Sequence, residues 1–90
     1  MTHEITFPRN IANVLASANE HGLYVISGWT IGIPRQAAID YAKSINADPN
    51  AGFFHHEGKV VLSHGDGKIT LTQQEANAVV DLIRAAYGPF

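Results

Sequence analysis

Five histidines occur in this 90-residue chain, and three of them, His55, His56 and His64, share one short stretch with Glu57 and Asp66. Read along the line, this is a metal-ligand composition, since zinc takes three or four imidazole, thiolate or carboxylate donors converging at about 2 Å. Strand register takes the set apart. Glu57-Gly58 reads as a two-residue hairpin loop, which pairs His56 with Lys59, His55 with Val60, Phe54 with Val61 and Phe53 with Leu62. His55 and His56 then point to opposite faces. His64 lies toward the far end of the hairpin, roughly 13 Å away at the usual rise. The expectation is no metal site and no cofactor.

A second constellation is Ser27-Gly28-Trp29-Thr30-Ile31-Gly32-Ile33 before Pro34 and Arg35. A strand, a glycine-punctuated loop and a helix N-terminus can cradle an anion on backbone amides. Here the spacing is G-x-x-x-G, without the Lys-Ser/Thr ending of a phosphate loop and without a dinucleotide fingerprint. Thr30 and Arg35 keep an anion-binding loop over Gly28–Arg35 as the alternative function, against a tight turn with Trp29 on the core. Nucleophilic catalysis has less support. Ser63 precedes His64, but neighbours on a strand point apart, no nucleophile elbow is present, and the acids fall in turns or on polar helix faces. The chain is expected not to be an enzyme.

The elements that must position these residues are read from periodicity. His3 to Phe7 alternates as a short edge strand. From Pro8 and Asn10 onward, Ile11, Val14, Leu15 and Ala18 fall at helical spacing, with His21 in the last turn and Gly22 as the stop, which predicts a first helix. Leu23-Tyr24-Val25-Ile26 is continuously apolar, as in a central strand covered on both faces. Pro34 opens a second helix presenting Ala38, Tyr41, Ala42 and Ile45, and residues 46–50 read as a loop. Thr72 with Glu75 forms a capping box for a third helix that presents Ala76, Val79, Val80, Ile83, Ala86 and Tyr87 and stops at Gly88-Pro89. Residues 1–90 are thus expected to be one α+β domain: four or five strands in a mixed or antiparallel sheet, with a C-terminal three-stranded meander, covered by three amphipathic helices.

Composition narrows the partners. Six Lys/Arg against eight Asp/Glu give a formal charge of −2, and the cations are dispersed along the chain, which argues against nucleic acid. The absence of cysteine removes disulfides and thiolate metal sites and suits a reducing compartment. No run approaches the roughly 18 apolar residues of a membrane span, and MTHEITFPRN lacks the pattern of a secretory leader. The expected location is the cytoplasm.

The remaining feature is a sheet face. Taking Gly65-Asp66-Gly67 as a three-residue turn pairs His64 with Lys68. That register groups Phe54, Val61, Ile69 and Leu71 beneath the helices. Phe53, Val60 and Leu62 go to the other side with His55 and Thr70. Either a helix covers this second face or it is exposed and binds. Phe53, His55, Val60 and Leu62 are accordingly the candidate partner-binding residues, and the partner is another protein or a second copy in a homodimer. Small inhibitors from phages and mobile elements, anti-CRISPR proteins among them, share this profile by analogy of size and not of residues.

Overall fold

The computed structural model describes residues 3–8, 13–27, 29–44 and 52–90. It is an α+β fold in which the chain twice lays down an antiparallel meander and then a helix. Strands β1 (His3–Phe7), β2 (Val14–Asn19), β3 (Gly22–Ser27) and β4 (Trp29–Pro34) form one sheet in that order, followed by α1 (Arg35–Lys43). Strands β5 (Gly52–His56), β6 (Lys59–His64) and β7 (Gly67–Leu71) form the second, followed by α2 (Gln73–Tyr87). There are seven strands in two sheets and two helices among the described residues, rather than one sheet and three helices.

The first expected helix is where the readings part. Residues 14–18 are strand, with Val14, Ala16 and Ala18 buried and Leu15 and Ser17 half-buried. The residues Val14, Leu15 and Ala18 satisfy a 3.6-residue spacing, while Val14, Ala16 and Ala18 satisfy a two-residue one, so the short run carries both periods. Pairing decides it, because β2 lies between β1 and β3 and its backbone groups are used on both sides. Asn19 Oδ1 accepts from the amides of His21 (2.8 Å) and Gly22 (3.2 Å) and turns the chain into β3. His21 therefore sits in a hairpin loop. Gly22 is needed for space, since a Cβ there would lie 2.4 Å from the carbonyl oxygen of Ile33. The expected residues 9–12 of that helix, like Ile45 and the loop at 46–50, lie outside the described residues.

Where local signals were unambiguous they hold. Thr72 Oγ1 accepts from the Glu75 amide at 3.1 Å and Glu75 Oε1 accepts from the Thr72 amide at 2.9 Å, completing the capping box. The Glu57-Gly58 loop takes positive φ at both residues, 51° and 78°, and sets the expected β5–β6 register.

The second turn is shorter than its sequence suggests. Gly65 at φ 61° and Asp66 form a two-residue loop, and His64 pairs with Gly67 instead of Lys68. A slip of one residue moves every side chain of a strand to the opposite face. Ile69 and Leu71 therefore stand with Phe53, Val60 and Leu62, and all five are buried.

One core joins both sheets and both helices. The inward face of the first sheet supplies Val14, Ala16, Ala18, Leu23, Val25, Ile31 and Ile33, and the second sheet supplies Phe53, Val60, Leu62, Ile69 and Leu71. Helix α1 packs on β3, β4 and β5, and α2 on β1, β2, β6 and β7, with the helices against each other. Ala38 and Ala42 on α1, and Ala76, Val79, Val80 and Ile83 on α2, form the helical side. Ile31 lies against Gly67, where a Cβ would approach its Cγ1 to 2.9 Å, so β4 and the second meander meet closely.

Candidate functional site

The four residues expected to bind a partner separate in the structure. Phe53, Val60 and Leu62 are completely buried and only His55 is exposed. The helices cover this side of the meander, and the corrected register adds Ile69 and Leu71 to it. As a free docking surface this face is ruled out by its own burial, and it serves as core.

The glycine loop proposed for an anion is the strand β4. Its residues pair with β3 from Pro34 opposite Gly22 to Trp29 opposite Ser27, so its backbone belongs to a ladder. Thr30 and Arg35 stand at opposite ends, roughly 16 Å apart at strand rise. Pro34 is the cap residue of α1 and contributes no side-chain cap bond. The Arg35 guanidinium is seated over the Tyr87 ring, 5.3 Å from its centroid. Thr30 and Arg35 thus do not converge on one ligand.

The histidines separate as the first hairpin's register requires. His55 and His56 lie on opposite faces at the hairpin end. His56 Nε2 is 4.0 Å from a Glu57 oxygen, and both are well exposed. His64 is half-buried, with its Nδ1 2.8 Å from the Tyr41 hydroxyl, which ties the second meander to α1. Among the described residues, no three His, Asp or Glu side chains gather to hold a metal ion. Ser63, fully buried, has no hydrogen-bond partner for its Oγ among the described residues.

An exposed apolar sheet face does exist, on the other sheet. The outer side of the four-stranded sheet is built in three cross-strand rows: Thr6, Leu15, Ile26 and Thr30; Glu4, Ser17, Tyr24 and Gly32; then Asn19, Gly22 and Pro34. Tyr24 and Ile26 are each 38% exposed, beside half-buried Leu15. With Phe90, they are the large apolar side chains exposed among the described residues. Glu4 is the single charged residue of the three rows. A tyrosine and aliphatics with few charges is the composition of an interface centre.

The sequence held a signal for this face that a continuous apolar run concealed. In Leu23-Tyr24-Val25-Ile26 every residue is apolar, so alternation is invisible in β3 alone. It is legible one strand earlier, where Val14, Ala16 and Ala18 alternate with Leu15, Ser17 and Asn19. A two-residue period in β2, carried across its pairing with β3, puts Tyr24 and Ile26 outward.

At one corner of this face lies a hollow of about 310 Å³ lined by His21, Tyr24, Gly32, Ile33 and Pro34. Tyr87, behind that corner, donates its hydroxyl to the Asn19 carbonyl at 2.6 Å. Burial raises its phenol above the ordinary value, the Arg35 cation opposes that rise, and Tyr24 adds to it. No helix among the described residues is long and apolar enough to cross a membrane. The chain matches no protein-family model, no curated protein and no solved structure.

Proposed function

We propose that this chain is a protein-binding module whose contact surface is centred on Leu15, Tyr24 and Ile26, on the outer face of the four-stranded sheet. The observation that carries the reading is the pairing of two outward, 38%-exposed side chains, Tyr24 and Ile26, on a central strand. Central strands that face water on one side ordinarily alternate apolar-in and polar-out. Here β2 and β3 put Leu15, Tyr24 and Ile26 on the water side.

Size bears on the kind of partner. Four strands spaced by about 4.8 Å and about five residues long span a footprint on the order of 300 Å². Even allowing for side-chain relief, that is less than the roughly 800 Å² per partner of a standard interface. Two copies stacked face to face would form at most a weak dimer. A different protein that reaches beyond the edges of the sheet onto adjoining surface fits better. Covering a partner's surface in this way is how a small inhibitor from a phage or mobile element would act.

Ile26→Asp tests the reading. The side chain points outward, so the variant should keep its circular dichroism and melt cooperatively. It should lose the proteins that immobilised wild-type chain retains, along with any concentration-dependent sedimentation. Identical capture and sedimentation by a folded Ile26→Asp variant would end the proposal.

A further inference from the structure

The core is closed at three sheet edges and open at the fourth. Strand order leaves β1 and β4 at the edges of the first sheet and β5 and β7 at those of the second. The apolar side chains that face the core are buried on β4 (Ile31, Ile33), β5 (Phe53) and β7 (Ile69, Leu71). On β1 the corresponding residues, Ile5 and Phe7, stay half-buried, while their cross-strand neighbours Ala16 and Val14 are completely buried. Ile5 and Phe7 are therefore exposed on the side away from β2.

That side carries a hollow and unused backbone. A space of about 380 Å³ lies between β1 and the first turns of α2, lined by Phe7, Pro8, Thr72, Gln74, Glu75 and Ala78. None of the described lining residues belongs to β2, although Val14 pairs with Phe7, so the hollow opens on the free edge of β1. The ladder to β2 runs unbroken from His3 to Phe7, without the bulge, lysine or internal proline that ordinarily blunts an edge. Among the described residues, β1 makes backbone pairs with β2 alone. An edge strand in that position presents a row of unpaired N–H and C=O groups to whatever lies beside it.

We infer that β1 accepts an extended segment of a partner protein as a fifth strand, with apolar residues at alternate positions and a lysine or arginine between them. Side chains alternate across a strand. The segment's inward residues close over Ile5 and Phe7 and enter the hollow, and its outward residue lies across from Glu4. Glu4 is exposed and belongs to none of the described ion pairs, which makes a cation its complementary cross-strand neighbour. Thr6, the other outward residue, begins the row that runs through Leu15 and Ile26, so the added strand continues the outer face past its edge. The inference rests on the chain being a protein-binding module, and it names how the partner's backbone is held.

The test is a nuclear magnetic resonance titration of the full chain with acetyl-Leu-Lys-Val-Lys-Leu-amide, whose alternation is the same in either strand direction. The controls are acetyl-Leu-Glu-Val-Glu-Leu-amide and the composition-matched, non-alternating acetyl-Lys-Lys-Val-Leu-Leu-amide. Saturable shifts are expected at the amides of Glu4, Ile5, Thr6 and Phe7. At saturation, amide exchange should slow at every second residue of β1, a mark of ladder formation that side-chain docking alone does not leave. The Glu peptide should bind at least about two-fold more weakly than the Lys peptide, and Glu4→Lys should reverse that preference. The non-alternating peptide should also bind more weakly, and Ala78→Phe, which fills the hollow, should weaken binding of the Lys peptide. No saturable shift along β1, shifts without slowed exchange, equal binding of the Lys and Glu peptides to wild type, or undiminished binding to folded Ala78→Phe would each overturn the inference. Any of these results, with captured proteins still lost by Ile26→Asp, would remove the edge site and leave the outer face standing.

Discussion

Ser63 and Tyr87 show how far a single polar group's fate depends on what packs over it. Ser63 Oγ is buried and has no hydrogen-bond partner among the described residues, so on that accounting folding strips its hydration and returns no hydrogen bond. Removing the hydroxyl relieves that penalty, and Ser63→Ala should stabilise the protein by about 1 kcal/mol in urea denaturation. A loss of similar size would mean that the hydroxyl finds an acceptor. Tyr87 has its hydroxyl satisfied by Asn19, and burial raises its ionisation above the ordinary value despite the opposing Arg35. The fold therefore favours the neutral phenol. Its contribution is complete below the unfolded value of about 10 and is lost as pH rises from there through the folded value. Denaturation midpoints should fall more steeply above about pH 10 in wild type than in Tyr87→Phe, and parallel curves would sink this assignment.

Among the elements, α2 was the most legible because its signals are local. Thr72, Glu75, the apolar residues from Ala76 to Tyr87 and Gly88 each act within a turn or two, so no distant contact could override them. Thr72→Ala should destabilise the protein by about 1 kcal/mol in reversible denaturation, with the loss confined to one orphan amide. No change would mean that water replaces the cap without penalty. The hairpin at Glu57-Gly58 was legible for the same reason. Its neighbour at Gly65-Asp66-Gly67 was not, because two glycines around an aspartate permit both a two- and a three-residue loop. The choice between them decides which side of β7 faces the helices.

At the scale of the molecule, the meander face expected to bind a partner lies in the core, and the apolar sheet residues that are exposed belong to the other sheet. Phe53 is completely buried beneath the helices, so Phe53→Ala should cost about 3–5 kcal/mol, as aromatic truncations in cores do. Phe53→Asp should unfold the chain, since a buried carboxylate there has no charge to meet. Circular dichroism and sedimentation would show a folded Phe53→Asp chain if the burial were mistaken. By itself the sequence determined the α+β class, the edge strand at His3–Phe7, both helices that exist among the described residues, and the β5–β6 register. These rest on caps, turns and periods that close within a few residues. Tertiary structure decided that Val14–Asn19 is strand, that the strands divide into two sheets, and that Ile69 and Leu71 face inward. It also decided that Tyr24 and Ile26 meet solvent. In each of these cases two local conformations suit the same residues, and what separates them is burial against partners distant in the chain.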